Sequence, residues 1–186
     1  MRVRNLDPHE MSSVQARVAA AAAAGKRGLV PAPLRAWLHS PEMGDRAQRL
    51  GEFLRYDTSL SPYLSELAIL VTARVWTSHY EWFVHKREGL KAGIEPDVVA
   101  AIAAGEVPDL ADPTARIVYD YATMLHRDHV ITAELHAAAQ SALGEQGVVE
   151  LVGLLGYYTL VAMTLNAFEI VLPEGEISDL APRTSG

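Results

Sequence analysis

The stretch from Glu66 to His85 decides the fold, and it reads ELAILVTARVWTSHYEWFVH. Apolar side chains recur here three or four residues apart, which is the spacing of one face of an α-helix. They are Leu64, Leu67, Ala68, Val71 and Val75. Ser61 followed by Pro62 is typical of a helix N-terminus, with serine as the cap and proline in the first turn. We therefore predict a helix from Pro62 that continues, straight or kinked, through Ser78 to Lys91.

Proline and glycine divide the rest of the chain into further helical segments. The first predicted helix is capped by Ser12 or Ser13 and ends at Ala24. Further helices are predicted over 41–55, 96–104 and 132–143. Two more are predicted, one that begins at Pro113 and one that follows Gly147 and ends near Phe168. The segment 28–33 is predicted as an extended connector, because it contains two prolines. No stretch alternates apolar and polar residues long enough to indicate a strand. The predicted fold class is therefore all-α.

The length of 186 residues suits one domain with an additional arm. We expect an N-terminal helical extension over 1–50, a helical domain over 51–175 and a flexible tail over 176–186. The most apolar stretch, 151–165, is fifteen residues long and falls short of the ~20 that span a bilayer. We interpret it as a buried helix, and we expect the protein to be soluble and cytoplasmic.

Charge and composition exclude several classes of function. The formal net charge is −7, which argues against nucleic acid or an anionic membrane surface as a partner, because both need clustered Lys and Arg. The chain contains no cysteine. Disulfides, thiolate metal sites and thiol redox chemistry are therefore excluded.

Three polar residues share one helical stripe in the deciding stretch. Ser78, Glu81 and His85 are three and four residues apart, and aromatic residues surround them. A carboxylate four residues before a histidine can hydrogen-bond the imidazole and fix its tautomer, which prepares the ring for general acid/base catalysis. Two other interpretations stay open at this point. The pair is also common on solvated helix faces, and Glu66, Glu81 and His85 are also candidate metal ligands.

Three motifs of the chain resemble those of a known family. They are Glu66-Leu-Ala-Ile-Leu, Tyr80-Glu81-Trp82 with His85, and Ala92-Gly93-Ile94 before the Pro96 helix. From about Arg55 to Gly175 the chain resembles the carboxymuconolactone decarboxylase family, which includes the alkylhydroperoxidase D-like proteins. The peroxidase branch of that family carries a glutamate, a Cys-x-x-Cys pair and a histidine. Serine and glutamate stand at the two cysteine positions here, so the pattern resembles the decarboxylase branch and not the thiol peroxidases.

The resemblance implies an oligomeric helical bundle and a lyase that acts on a carboxylated muconolactone in aromatic-acid catabolism. It also implies that no metal and no organic cofactor is needed, since the lactone carbonyl accepts the electrons. The candidate catalytic residues are His85, Glu81 and Glu66, and the candidate substrate-binding residues are Ser78, Arg74, Tyr80 and Trp82. For Arg74 an ion pair with Glu66 is the competing expectation to contact with the substrate carboxylate.

Three functions stay open on the sequence. The first is a cofactor-free lyase on a small carboxylate or lactone, the second a non-catalytic oligomeric binding protein, and the third a metal-dependent enzyme that uses Glu66, Glu81 and His85. The helix over 151–165 is apolar nearly all round, which favours a position in the core or between subunits. With the family resemblance, this predicts a homo-oligomer, a trimer or a hexamer.

Overall fold

The computed structural model describes residues 1–26 and 28–181. Within these residues the chain forms one short 3₁₀ turn and eight α-helices, with no strand. The helices are α1 (Ser13–Ala24), α2 (Ala32–Trp37), α3 (Pro41–Tyr56), α4 (Pro62–Val75), α5 (His79–Lys91), α6 (Pro96–Ala104), α7 (Pro113–Asp128) and α8 (Ala133–Ala167). The predicted all-α class is confirmed.

Four of the eight helix starts in the described residues have a side-chain cap. The side chains of Ser12, Ser61 and Thr132 each accept a hydrogen bond from a backbone N–H in the first turn of α1, α4 and α8. Asp112 does the same for α7. These starts were predicted within a residue or two, because a cap needs only a few neighbouring residues.

Two predictions about the helices are wrong. The segment 28–33 is not a connector throughout, because its last two residues open α2. Pro33 occupies the first turn of that short helix, where a missing N–H costs nothing. The single helical stretch over 62–91 is also wrong: α4 ends at Val75 and α5 begins at His79. Thr77 between them adopts a left-handed backbone (φ +44°), which no helix can continue through.

Helix α4 is the centre of the molecule. Every residue from Leu64 to Ala73 is buried, and the helix packs against α5, α7 and α8. A helix that is apolar on all sides is stable only where other helices cover it. Glu66 is carried into the interior on this helix.

Helix α8 is interrupted at Gly144, which has φ +72° and ψ +170°. The predicted turn after Leu143 is therefore present as a kink. By length and composition α8 could cross a membrane, but 61% of its most apolar window is buried inside the protein. This burial fits a core helix. The expected cytoplasmic location stays a prediction.

Both ends of the chain pack near the same region. Trp37 of α2 donates a hydrogen bond from Nε1 to Thr164 Oγ1 of α8 over 2.9 Å. Near the other end, Asp179 accepts a hydrogen bond from Trp82 Nε1, and Leu180 is buried. The last five residues of the predicted flexible tail, 182–186, lie outside the described residues. The division into 1–50, 51–175 and 176–186 stays a prediction.

Candidate functional site

A buried carboxylate–imidazole pair joins α4 to α5. Glu66 Oε2 lies 2.7 Å from His85 Nδ1, and both residues are buried, with 6% and 5% of their surface exposed. The bond makes Nδ1 the donor, so the other ring nitrogen, Nε2, is left for chemistry. Of the two glutamates that are candidate catalytic residues, Glu66 is the hydrogen-bond partner of His85.

The close approach of the two helices depends on a glycine one turn after His85. A Cβ at Gly89 would lie 3.1 Å from Ile94 Cδ1, 3.3 Å from Leu70 Cδ1 and 3.7 Å from Glu66 Cβ. Any larger residue would therefore press against the part of α4 that carries Glu66. Gly89 thus allows α5 to pack closely against α4 beside Glu66.

The predicted Glu81–His85 pair is not formed. Glu81 is fully buried, and neither carboxylate oxygen has a hydrogen-bond partner among the described residues. Burial raises the pKa of the Glu81 carboxyl well above its ordinary value. A carboxyl in such surroundings stays protonated, because an unpaired charge in the interior is very costly. The two glutamates therefore differ in their surroundings, because Glu66 is hydrogen-bonded to His85 whereas Glu81 is buried without a partner among the described residues.

A cavity of about 450 Å³ lies beside the pair. Helices α3, α5 and α8, the segment before α2 and the segment after α8 all contribute to its wall. Its apolar and aromatic lining consists of Leu29, Pro31, Ala32, Pro33, Tyr56, Tyr80, Phe83, Val84, Tyr157, Tyr158, Val161, Leu165 and Pro173. The polar lining consists of Arg55, Glu81, His85, Arg87, Glu88 and Glu176. Such a mixture of an apolar wall with few polar groups is typical of a small-molecule site.

Aromatic rings in edge-to-face contact hold the imidazole in place. The ring centroids of His85 and Tyr158 are 4.8 Å apart and meet edge to face at 85°. Tyr157 meets Tyr158 edge to face, and Trp37 of α2 meets Tyr157 in the same manner. These contacts run from the pair to the N-terminal helices, so α2 supports the site from behind.

The more deeply buried of the two arginines at the cavity is Arg55, which was not identified from the sequence. Its Nε lies 3.9 Å from Glu66 Oε1, and its Nη2 lies 3.8 Å from Glu88 Oε2. Arg74, for which either contact with the substrate carboxylate or an ion pair with Glu66 was predicted, lies against Gly105 and does not border the cavity. Arg55 is eleven residues from Glu66 on a different helix, so no spacing rule could have found it.

The other predicted substrate-binding residues are Tyr80, Ser78 and Trp82, and they differ in their position relative to the cavity. Tyr80 borders the cavity. Ser78 does not: it precedes the first residue of α5 and is fully buried. Trp82 is also fully buried, and its indole donates to Asp179 Oδ1 over 2.7 Å, so it supports the C-terminal segment. The catalytic and binding roles of the predicted residues stay predictions.

The candidate metal ligands do not converge on one point. Over residues 1–26 and 28–181, no three His, Asp or Glu side chains converge as ligands for a metal. The predicted set of Glu66, Glu81 and His85 is therefore not arranged as a three-ligand site.

Comparisons with known proteins agree on the fold. Residues 41–124 match the family model of the carboxymuconolactone decarboxylase family, and this range includes Glu66, Glu81 and His85. The chain is also similar to the crystal structure of an uncharacterized peroxidase-related protein from Silicibacter sp. TM1040. The TM-score is 0.73 at 15% sequence identity, over 92% of this chain and 90% of that chain, so the likeness concerns the fold. No curated protein matches the sequence.

Proposed function

Residues 41–124 match the family model of the carboxymuconolactone decarboxylase family, and on this basis we propose that the protein is a cofactor-free lyase. Its proposed substrate is a small unsaturated carboxylated lactone or a related acid, from which it releases carbon dioxide. The observation that carries the proposal is the buried Glu66–His85 hydrogen bond at the wall of an apolar cavity.

The reaction makes two demands on the protein. When the bond to the carboxylate breaks, its electron pair passes into the unsaturated lactone and forms a dienolate. The dienolate then needs a proton at carbon, and the substrate needs a dry site in which charge stabilisation is strong. His85 supplies the proton from Nε2, while Glu66 at Nδ1 orients the ring and stabilises its charged form.

The neutral state of Glu81 fits this assignment. An ionised Glu81 would add a further carboxylate to those of Glu88 and Glu176 at the cavity wall, and it would oppose the entry of an anionic substrate. Because burial raises the pKa of Glu81, this residue adds no charge beside His85, and the hydrogen-bond partner of the imidazole is Glu66. The two glutamates therefore have different roles. Glu66 orients the imidazole of His85, and Glu81 stays uncharged.

Other activities of related proteins fit this chain less well. Thiol peroxidase chemistry needs a cysteine, and the chain has none. A purely structural or binding role would suit a cleft blocked by Trp76, Trp82 or Phe83. Trp82 instead packs in the interior, Phe83 borders the cavity, and an open volume remains beside His85.

The test is a screen for carbon dioxide release. Muconolactones and related unsaturated carboxylates are incubated with the protein in D₂O, and the product is examined by mass spectrometry and proton NMR. We expect release of carbon dioxide and one deuterium at carbon. Glu66→Gln should slow the reaction strongly, whereas Glu169→Gln, which changes an exposed glutamate paired with Arg2, is the matched control. No release from any member of the set would contradict the proposed function.

We also propose that the protein works as a homo-oligomer, a trimer or a hexamer. Exposed apolar side chains on α8 lie beside others on α3, and these two helices pack together. They are Val149, Val152 and Met163 on α8, and Met43, Leu50 and Phe53 on α3. Exposed apolar side chains on two helices that pack together are typical of a contact between subunits.

A further inference from the structure

Arg55 is a half-buried cation with uncommitted hydrogen-bond donors. Only 17% of its side chain is exposed, and it borders the cavity beside His85. Its contacts with Glu66 and Glu88, at 3.9 and 3.8 Å, are too long for hydrogen bonds. A guanidinium carries five donors in a planar fork that matches a carboxylate, so these donors are available to a ligand.

Both neighbouring carboxylates are already engaged elsewhere. Glu66 directs Oε2 to His85, and Glu88 accepts a hydrogen bond from Lys91 Nζ over 2.9 Å. Arg87 also lies 3.7 Å from Glu88. Arg55 therefore shares both carboxylates with other partners, and neither of them forms a hydrogen bond with its guanidinium. A charge of this kind in a partly buried site favours the binding of an anion.

The surroundings of Arg55 select a flat anion. The guanidinium carbon lies 5.3 Å from the ring centroid of Tyr56, and Tyr158 and Phe83 form other parts of the same wall. Aromatic walls pack well against planar unsaturated rings. Glu66 contacts both Arg55 and His85, so an anion held by Arg55 would lie close to the imidazole.

We propose that Arg55 is the receptor for a carboxylate group on a small, planar, unsaturated ligand. The choice of ligand rests on the proposed function, but the binding step does not require turnover. Arg55 thus determines specificity for acids over neutral molecules of the same shape, while His85 carries the proton transfer.

The experiment compares two probes of nearly equal shape and different charge. Furan-2-carboxylate and furan-2-carboxamide are titrated into the whole protein at pH 7 and low salt, with affinity measured by calorimetry. We expect the wild-type protein to bind the carboxylate roughly 10–100-fold more tightly than the carboxamide, the range for a charge-assisted hydrogen bond. In Arg55→Met this preference should fall to about one, and in Arg55→Lys part of it should remain. Equal affinities of the wild-type protein for the two probes would overturn the proposal.

Arg87 provides the matched control. It borders the same cavity, but 61% of its side chain is exposed, and its guanidinium lies over the ring of Phe83. Arg87→Met should leave the preference for the carboxylate within about threefold of the wild-type value, because water screens exposed charges. Loss of the preference in Arg87→Met and its retention in Arg55→Met would overturn the assignment.

A measurement on the unmodified protein covers the case in which Arg55→Met does not fold. Arginine Nε–Hε signals are recorded by NMR, with Arg55 assigned from the spectrum of Arg55→Lys. Addition of furan-2-carboxylate should shift the Arg55 signal, and the carboxamide should not; an unmoved signal would overturn the proposal. If the protein releases carbon dioxide but binds the carboxylate no better than the carboxamide, the role of Arg55 is refuted and the lyase proposal is not. If the protein prefers the carboxylate but releases carbon dioxide from no substrate, the lyase proposal is refuted and the role of Arg55 is not.

Discussion

Replacement of Glu81 by glutamine should stabilise the protein in a pH-dependent manner. Glu81 is 2% exposed, and both of its oxygens lack partners among the described residues. Because burial raises its pKa well above 4.5, the folded protein keeps the proton while the unfolded chain loses it. The wild-type protein therefore holds more protons folded than unfolded, and its stability falls as the pH rises from about 4.5 to the folded-state pKa.

The size of the effect follows from proton linkage. Each pH unit within that window costs up to about 1.4 kcal/mol for a difference of one bound proton. Between pH 5 and 6 the unfolded carboxyl is already mostly ionised, and the loss is about 1 kcal/mol while the folded carboxyl keeps its proton. For a chain of this length it corresponds to roughly 2–5 °C in Tm. Glu81→Gln keeps the shape and neutrality of the protonated acid, so it should escape this loss.

The assay is urea unfolding at pH 5, 6, 7 and 8, followed by circular dichroism. The difference in unfolding free energy between Glu81→Gln and the wild type removes the titration of all other groups. Glu88→Gln on the same helix is the control, since its pairing with Lys91 and Arg55 lowers the pKa of Glu88 against the opposing effect of burial. That variant should show no gain as the pH rises. Parallel pH profiles for Glu81→Gln and the wild type would refute a buried, protonated Glu81.

Three further predictions concern other parts of the chain. Thr77→Gly should stabilise the protein by about 0.5–1 kcal/mol in urea unfolding, because glycine adopts the left-handed backbone at φ +44° without strain; a loss of stability would contradict this. Asp179→Asn should speed proteolytic cleavage within 173–180, because it weakens the contacts of Asp179 with Trp82 and Lys86; an unchanged cleavage rate would show that other contacts hold the segment. Light scattering at micromolar concentration should give three or six times 20.2 kDa, and Val152→Lys should lower that mass; a wild-type monomer would refute the proposed oligomer.

Local chemistry allowed much of the fold to be predicted. The cap at Ser61 with Pro62 and the cap at Thr132 define helix starts by contacts within three residues. The all-α class followed from helical spacing and the lack of alternating patterns. The break at Thr77 was not predicted in its true form, because apolar spacing continues across it while the backbone turns. Periodicity reports which side chains are apolar and not where the chain changes direction.

The site shows the same division between local and distant contacts. A pairing of His85 with a carboxylate was predicted, but spacing along one helix favoured Glu81 as its partner. The packing of α4 against α5 gives that place to Glu66, nineteen residues away. Arg55 comes from α3 and was not found, because it meets the cavity only through tertiary packing. Residues brought together from separate helices leave no spacing pattern in a single sequence.

The most direct test of the account is the turnover of His85→Gln on a substrate identified by carbon dioxide release. The variant should fold as the wild type does, because glutamine retains polar groups in the place of the imidazole. Its turnover should fall roughly 10²–10⁴-fold, the typical loss when a general acid/base is removed. Unchanged turnover in His85→Gln would contradict the account, because the Glu66–His85 pair would then be a structural contact beside a site that works by other groups.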